Sequence, residues 1–140
     1  MKTLKSSLVI MVVTLSLFAC NTQTKENQEA SVEISEDVQV YYFHNTKRCA
    51  TCNAVEDETR VALEMFYDEK MKAGTIYFTS LNLEEEEGKT MAEALQVSGQ
   101  TLLIVKGETQ INLTNEGFMN ARTNPTKFHE IIKTQIDNLL

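Results

Sequence analysis

Residues 38–52 read VQVYYFHNTKRCATC. Valine and aromatic side chains dominate the first six positions, which is typical of a β-strand, and the polar stretch 44–48 ends that strand. Over residues 50–73 the apolar side chains recur at helical spacing, and a glycine follows as a C-cap. The sequence therefore predicts that Cys49 and Cys52 lie where a strand passes into a helix.

The rest of the chain continues to alternate between strands and helices. A second strand precedes a helix that opens with four glutamates, whose charges complement the positive end of the helix dipole. An apolar strand, a turn with glycine and an alternating edge strand follow, and Asn124 with Pro125 begins a last helix. These elements are expected at residues 75–83, 84–97, 101–105, 109–113 and from 124 onward. The order βαβαββα predicts an α/β domain with a mixed central sheet flanked by helices.

The composition excludes some classes of protein. The chain has 140 residues, enough for one compact domain. Its 13 Lys and Arg residues and 20 Asp and Glu residues give a formal net charge of −7, so binding to nucleic acid phosphates is not expected. Cys20, Cys49 and Cys52 are too few for a small fold held together by disulfides, and only the last two can act as a local pair.

The N-terminus has the pattern of an export signal. Lys2 and Lys5 precede an apolar run, residues 8–18, that is about half the length of roughly 20 residues needed to span a bilayer. The run ends Leu-Phe-Ala-Cys at Cys20, which resembles the lipobox of bacterial lipoproteins, where the cysteine is lipidated. We therefore predict a signal peptide at 1–19, a lipidated and flexible tether at 20–37, and a domain at 38–140. An ordinary secretory signal is the alternative, and both place the domain outside the cytoplasm, where disulfides persist.

The C-x-x-C segment points to thiol chemistry. Two intervening residues allow Cys49 and Cys52 to close a disulfide in the first turn of a helix. The first sulfur then faces free backbone N–H groups and the positive end of the helix dipole, and Lys47 and Arg48 add positive charge. Together these effects bring the expected pKa of Cys49 from about 8.5 toward the range of roughly 3.5 to 7.5. Cys49 is the predicted nucleophile and Cys52 the predicted resolving thiol.

Other interpretations of the pair remain open. A zinc site needs two more ligands, and the candidates His44 and His129 are isolated on different elements, so no metal site is expected. A purely structural disulfide would close a small loop and add little loop entropy. His44 is also a candidate proton carrier or partner contact near neutral pH. Glu56, one turn beyond Cys52, is either a candidate acid or an ordinary surface glutamate.

The arrangement resembles a known fold. A strand, a C-x-x-C at the helix start and a βαββα continuation resemble thioredoxin, and VSGQTLLIVKGE at 97–108 is similar to the second half of that fold. More narrowly, YYFHNTKRCATC at 41–52 resembles thioredoxin-like bacterial lipoproteins of the nitrophenyl-compound nitroreductase subunit ArsF family, found beside arsenic-resistance genes. The resemblance covers residues 38–140 and implies a redox-active pair at Cys49 and Cys52 without a cofactor.

Three departures from thioredoxin concern the surroundings of the pair. Pro125 is the only proline, so Gln100, just before Thr101, takes the place of the cis-proline that faces the disulfide. We expect Gln100 to be trans, because a cis bond before a residue other than proline costs about 3 kcal/mol. Phe43 replaces a buried acid, and Arg48 replaces a tryptophan. These changes indicate a dedicated partner instead of general thioredoxin activity.

The function that the sequence favours is a membrane-anchored extracytoplasmic thiol–disulfide oxidoreductase or electron relay, linked to arsenic or nitro-compound detoxification. Its expected partner is a redox protein, either a membrane thiol-electron carrier or a nitroreductase subunit, and the chain itself is expected to be a monomer. A lipid on Cys20 would hold it to a bacterial membrane, facing the periplasm or the cell exterior. One alternative is binding of trivalent arsenic or another soft metal by the dithiol without turnover. Another is a scaffold that only docks a second subunit.

Overall fold

The computed structural model describes residues 35–140. The signal peptide predicted at 1–19, the lipidation site Cys20 and the tether up to residue 34 lie outside the described residues. No helix in the described part of the chain is long and apolar enough to cross a membrane.

Four strands form one mixed sheet, in the order β2-β1-β3-β4. The central strand β1 runs parallel to β2 and antiparallel to β3, and β4 pairs antiparallel with β3. The strands are β1 (Val38–His44), β2 (Ile76–Asn82), β3 (Thr101–Lys106) and β4 (Thr109–Asn112). The predicted α/β class and thioredoxin-like arrangement of strands are confirmed.

Helices cover both faces of the sheet. They are α1 (Ala50–Lys72), α2 (Glu86–Ala94), α3 (Thr114–Asn120) and α4 (Pro125–Asp137). The short helix α3 was not predicted, so the observed order is βαβαββαα. At the start of α4, the Asn124 side chain accepts a hydrogen bond from the backbone N–H of Lys127, which confirms the predicted cap.

The core is divided by the sheet into two parts. The larger part packs one face of β1 and β3 against α1, α3 and α4, with the side chains of Tyr42, Ile104, Leu63, Phe128 and Ile132 almost completely buried. The smaller part packs the other face against α2 and contains Tyr41, Phe43, Leu81, Leu95 and Leu103. Because β1 is buried on both faces, the end of this strand is held in place and fixes the position at which α1 begins.

Two side-chain contacts fasten α4 to α1. Tyr67 lies where the backbone of α1 departs from helical geometry, and its hydroxyl, with one proton to donate, is 2.9 Å from the carbonyl oxygen of Lys133 and 2.7 Å from the carboxylate of Asp137. Burial raises the pKa of Tyr67, and Asp137 raises it further. His129 lies 2.7 Å from the Glu58 carboxylate. These contacts hold the long helix that carries the cysteines.

Candidate functional site

Cys49 and Cys52 form a disulfide at the junction of β1 and α1, with their Cα atoms 5.1 Å apart. Cys49 is the N-cap residue of α1, and its Sγ accepts a hydrogen bond of 3.2 Å from the backbone N–H of Cys52. Cys49 is exposed, whereas Cys52 is only 3% exposed. One cysteine of the pair therefore faces solvent and the other is enclosed.

This placement gives the two sulfurs different electrostatic surroundings. The first N–H groups of a helix lack partners within the helix and carry the positive end of its dipole. At Cys49 one of these groups already points at the sulfur. Such a position stabilises a negative charge on Cys49 after reduction, while the burial of Cys52 disfavours a charge there.

Gln100 approaches the enclosed sulfur from the segment before β3. Its side-chain Oε1 lies 3.4 Å from Sγ of Cys52. No cis peptide bond occurs among the described residues, so the prediction that Gln100 is trans is confirmed. The structure thus brings Gln100, a predicted site residue, directly to the pair.

Thr101, the next residue, has different contacts from those of Gln100. It is buried at the start of β3, pairs with Phe43 of β1, and donates a hydrogen bond of 3.1 Å to the carbonyl of Gly99. It also lines an open cleft of about 270 Å³, together with Val97, Ser98 and other residues. Of the two successive residues, Gln100 contacts the disulfide and Thr101 lines the cleft.

Arg48 turns toward the first turns of α1 and forms an ion pair with Glu56. The Glu56 side chain is only 14% exposed and has a second partner, Arg60, at 3.3 Å. The Arg48 guanidinium also lies over the Tyr42 ring, 5.6 Å from its centroid. Since Glu56 balances the charge of Arg48, the helix amides are the better-placed source of positive potential at Cys49.

The ionisation of Glu56 follows from these contacts. Burial raises its pKa, but the hydrogen bond and charge of Arg48, with smaller contributions from Ser80 and His44, together outweigh this effect, and the net shift of the Glu56 pKa is downward. For Tyr42 the balance is the opposite, because burial, together with the negative charge of Glu56, raises the pKa of its phenol more than Arg48 lowers it. Glu56 is therefore an ion-paired carboxylate, and Tyr42 is a neutral hydrogen-bond donor.

The remaining predicted residues lie farther from the chemistry. Lys47 is exposed and forms no ion pair with a described residue. His44 ends β1, and its Nδ1 lies 3.0 Å from the carbonyl of Asn45. His129, on α4, pairs with Glu58 of α1, which is not a partner of His44. Within residues 35–140, no group of three or more His, Cys, Asp or Glu side chains is arranged to hold a metal ion.

Two contributors to the site were not found from the sequence. In the sequence Tyr42 is only part of the aromatic strand pattern, yet in the structure its hydroxyl donates a hydrogen bond of 2.9 Å to the carbonyl of Cys52. Ser80, opposite Tyr42 in β2, has a buried hydroxyl that forms no hydrogen bond with a described residue, but it lies near enough to Glu56 to help lower the Glu56 pKa. The residue order contains no signal for either contact, because both depend on how α1 crosses the sheet.

Comparison with other proteins adds little to this geometry. No protein-family model matches the chain, and no curated protein matches it. Among solved structures, one similar chain is described as "Structure of a malarial protein", with 23% sequence identity and a TM-score of 0.39. The match covers 53% of this chain and 74% of the other.

Proposed function

We propose that the chain is a thiol–disulfide oxidoreductase or electron relay that acts through Cys49 and Cys52 outside the cytoplasm. The observation that supports this most is the contrast between the two cysteines. Cys49 is exposed and its Sγ accepts a hydrogen bond from the backbone N–H of Cys52, whereas the side chain of Cys52 is enclosed. Exchange needs an accessible, stabilised thiolate to attack and a second thiol held within reach to resolve the product. A buried structural disulfide requires neither property.

In the reducing direction, the Cys49 thiolate attacks a partner disulfide, and a sulfur–sulfur bond forms between Cys49 and one partner sulfur. The other partner sulfur leaves as a thiolate and takes up a proton. Cys52 then loses its proton and attacks Sγ of Cys49, which releases the second partner thiolate. The partner gains two electrons and the chain ends as the Cys49–Cys52 disulfide. The oxidising direction is the reverse of these steps.

The location of the protein is a separate proposal based on the sequence. A lipid on Cys20 would anchor the chain to a bacterial membrane, facing the periplasm or the exterior, and the tether at 20–37 would leave the domain free to meet a membrane-bound redox partner. Membrane fractionation of the full chain tests this, since C20S should release it from the membrane. The link to arsenic or nitro-compound detoxification rests on the sequence resemblance alone.

Trapping with oxidised glutathione tests the exchange reaction. C52S should accumulate a glutathione adduct on Cys49, whereas the wild-type chain should resolve the adduct to the Cys49–Cys52 disulfide. C49S should react much more slowly, because its remaining site thiol is enclosed. The double variant C49S/C52S measures what Cys20 contributes. Absence of an adduct on Cys49 in C52S would contradict the proposal.

An arsenite arm of the same experiment separates exchange from binding. The Cα separation of 5.1 Å holds two thiols close enough to chelate a soft ion after reduction. Stoichiometric arsenite uptake by the reduced chain, combined with no exchange with glutathione, would favour the binding function instead. If function in cells survives the loss of both cysteines, a docking scaffold is the better description.

A further inference from the structure

Gln100 places an uncharged hydrogen-bond acceptor next to the enclosed sulfur of Cys52. Its Oε1, an amide carbonyl oxygen, lies 3.4 Å from Sγ of Cys52, which is 3% exposed. In the disulfide, that sulfur has no proton to donate. After reduction, the Cys52 thiol has one, and the carbonyl oxygen is already within the distance of a hydrogen bond to sulfur.

Cys49 has the opposite kind of neighbour. Its Sγ accepts from the backbone N–H of Cys52 at the start of α1. A donor favours the thiolate, and an acceptor favours the thiol, because each stabilises the form that completes its hydrogen bond. The reduced pair is therefore arranged with the charge on Cys49 and the proton on Cys52.

Both interactions are strongest in the reduced protein. The disulfide sulfur of Cys49 is a weaker acceptor than a thiolate, and the disulfide sulfur of Cys52 is no donor at all. Any group that stabilises only the dithiol raises the reduction potential of the pair. The site is thereby biased toward accepting electrons.

We propose that Gln100 is the hydrogen-bond acceptor of the Cys52 thiol and shifts the dithiol–disulfide equilibrium toward the dithiol, which favours transfer of electrons from a partner dithiol to this protein. The inference rests on the proposed function and names the direction that Gln100 favours. The Cys49–Cys52 bond takes two electrons and one proton to give the Cys49 thiolate and the Cys52 thiol. The partner dithiol gives up the same two electrons, becomes a disulfide and releases its protons.

Equilibration with glutathione tests the effect of Gln100 on this balance. Two molecules of glutathione reduce the protein disulfide and form one molecule of oxidised glutathione. Q100M keeps the length of the side chain and removes the strong acceptor, and Q100L is a second variant of the same kind. Each should move the equilibrium about fivefold toward the disulfide, the effect of one neutral hydrogen bond. At about 30 mV for each tenfold change, this is a decrease in potential of about 20 mV.

A matched control is Q135M. Gln135 is also partly buried, but it lies on α4 and has no contact with the disulfide among the described residues. Its replacement should leave the potential at the wild-type value. A potential for Q100M and Q100L equal to that of Q135M would overturn the inference.

Denaturation of the reduced and oxidised proteins separates this role from ordinary packing. If Gln100 binds the Cys52 thiol, Q100M should increase the unfolding constant of the reduced protein about fivefold more than that of the oxidised protein. Equal destabilisation of both forms would mean that Gln100 only packs. Failure of every variant to exchange with glutathione would contradict the proposed function, whereas the stability comparison would still decide the role of Gln100.

Discussion

The hydroxyl of Tyr42 donates a hydrogen bond of 2.9 Å to the backbone carbonyl of Cys52. Tyr42 is fully buried in the central strand, and Cys52 lies in the first turn of α1. The bond therefore fixes the second cysteine to the sheet through a side chain, in addition to the covalent connection between β1 and α1. The position of the dithiol depends on this strand residue as well as on the helix that contains it.

Y42F should destabilise the protein and loosen the start of α1. Loss of one hydrogen bond to a buried carbonyl should lower the free energy of unfolding by about 1 kcal/mol, measured by urea denaturation. The Cys52 thiol of the reduced protein should also be alkylated faster. Y41F is the matched control, because Tyr41 is buried on the opposite face and its hydroxyl bonds to no described residue. Equal effects of the two variants would contradict this role for Tyr42.

The reduction potential should depend on pH in a way that reflects the unequal sulfurs. With Cys49 as a thiolate and Cys52 as a thiol, reduction takes up two electrons and one proton, so the potential should fall by about 30 mV per pH unit. Below the pKa of Cys49 two protons are taken up, and the slope should double to about 60 mV. Glutathione equilibria from about pH 5 to pH 9 measure both slopes. A slope of about 60 mV throughout would mean that Cys49 is not a thiolate at neutral pH.

R48M should weaken the protein through Glu56. Because the pKa of Glu56 is lowered on folding, its contribution to stability is present above the unfolded value of 4.5 and is lost as the pH falls through the folded value. Without Arg48, the largest of the interactions that oppose burial is lost, so the Glu56 pKa should be higher than in the wild-type protein. The free energy of unfolding at neutral pH should fall by about 1–3 kcal/mol, and the loss of stability in acid attributed to Glu56 should shrink or reverse.

Urea denaturation of R48M at neutral pH and at about pH 4 measures these changes. K72M is the control, because it removes the exposed pair of Lys72 with Asp68. Its effect should stay within about 0.5 kcal/mol. If R48M behaves like K72M, the partly buried pair with Glu56 does not stabilise the fold.

G88A should be far more damaging than G117A. A Cβ on Gly88 would lie 2.0 Å from the backbone oxygen of Asn82, so α2 or the end of β2 must move. We expect a loss of about 3 kcal/mol or more in the free energy of unfolding. A Cβ on Gly117 would meet a methyl group of Val55 at 3.1 Å, and the better helix propensity of alanine partly offsets that crowding. Similar losses in urea denaturation would contradict the close approach of α2 to β2.

Local patterns were sufficient for most of the fold. The β-branched, aromatic and alternating apolar residues of four segments predicted the four strands. The β3–β4 hairpin follows from Gly107, which has a positive φ of 56° in the turn. The local sequence patterns did not predict α3, because this helix has only seven residues and buries Gly117 and Asn120, so its sequence shows no apolar periodicity. They also began α2 too early. The side chain of Asn82 accepts a hydrogen bond from the backbone N–H of Glu84 and forms a turn before the helix starts at Glu86.

The candidate site also has features that the sequence predicts and contacts that only the tertiary fold creates. The spacing of Cys49 and Cys52 predicted a disulfide at the start of a helix, and the structure places it there. The pairing of Arg48 with Glu56, eight positions away, needs the chain to fold back over the helix start. Gln100 reaches Cys52 across 48 positions, because β3 pairs beside β1. The sequence resemblance marked Gln100 as a neighbour of the pair, but the contact itself depends on the tertiary path of the chain.

Because Cys52 is enclosed, the reactivity of its thiol in the reduced protein reports on opening of the folded domain. A thiol reagent can reach this sulfur only after α1 separates from the sheet or the segment around Gln100 lifts away. The ratio of its reactivity to that of a free peptide thiol therefore measures the population of opened molecules when reclosing is fast. At low urea concentrations, an unchanged ratio indicates local opening, and a steep increase indicates unfolding of the entire domain.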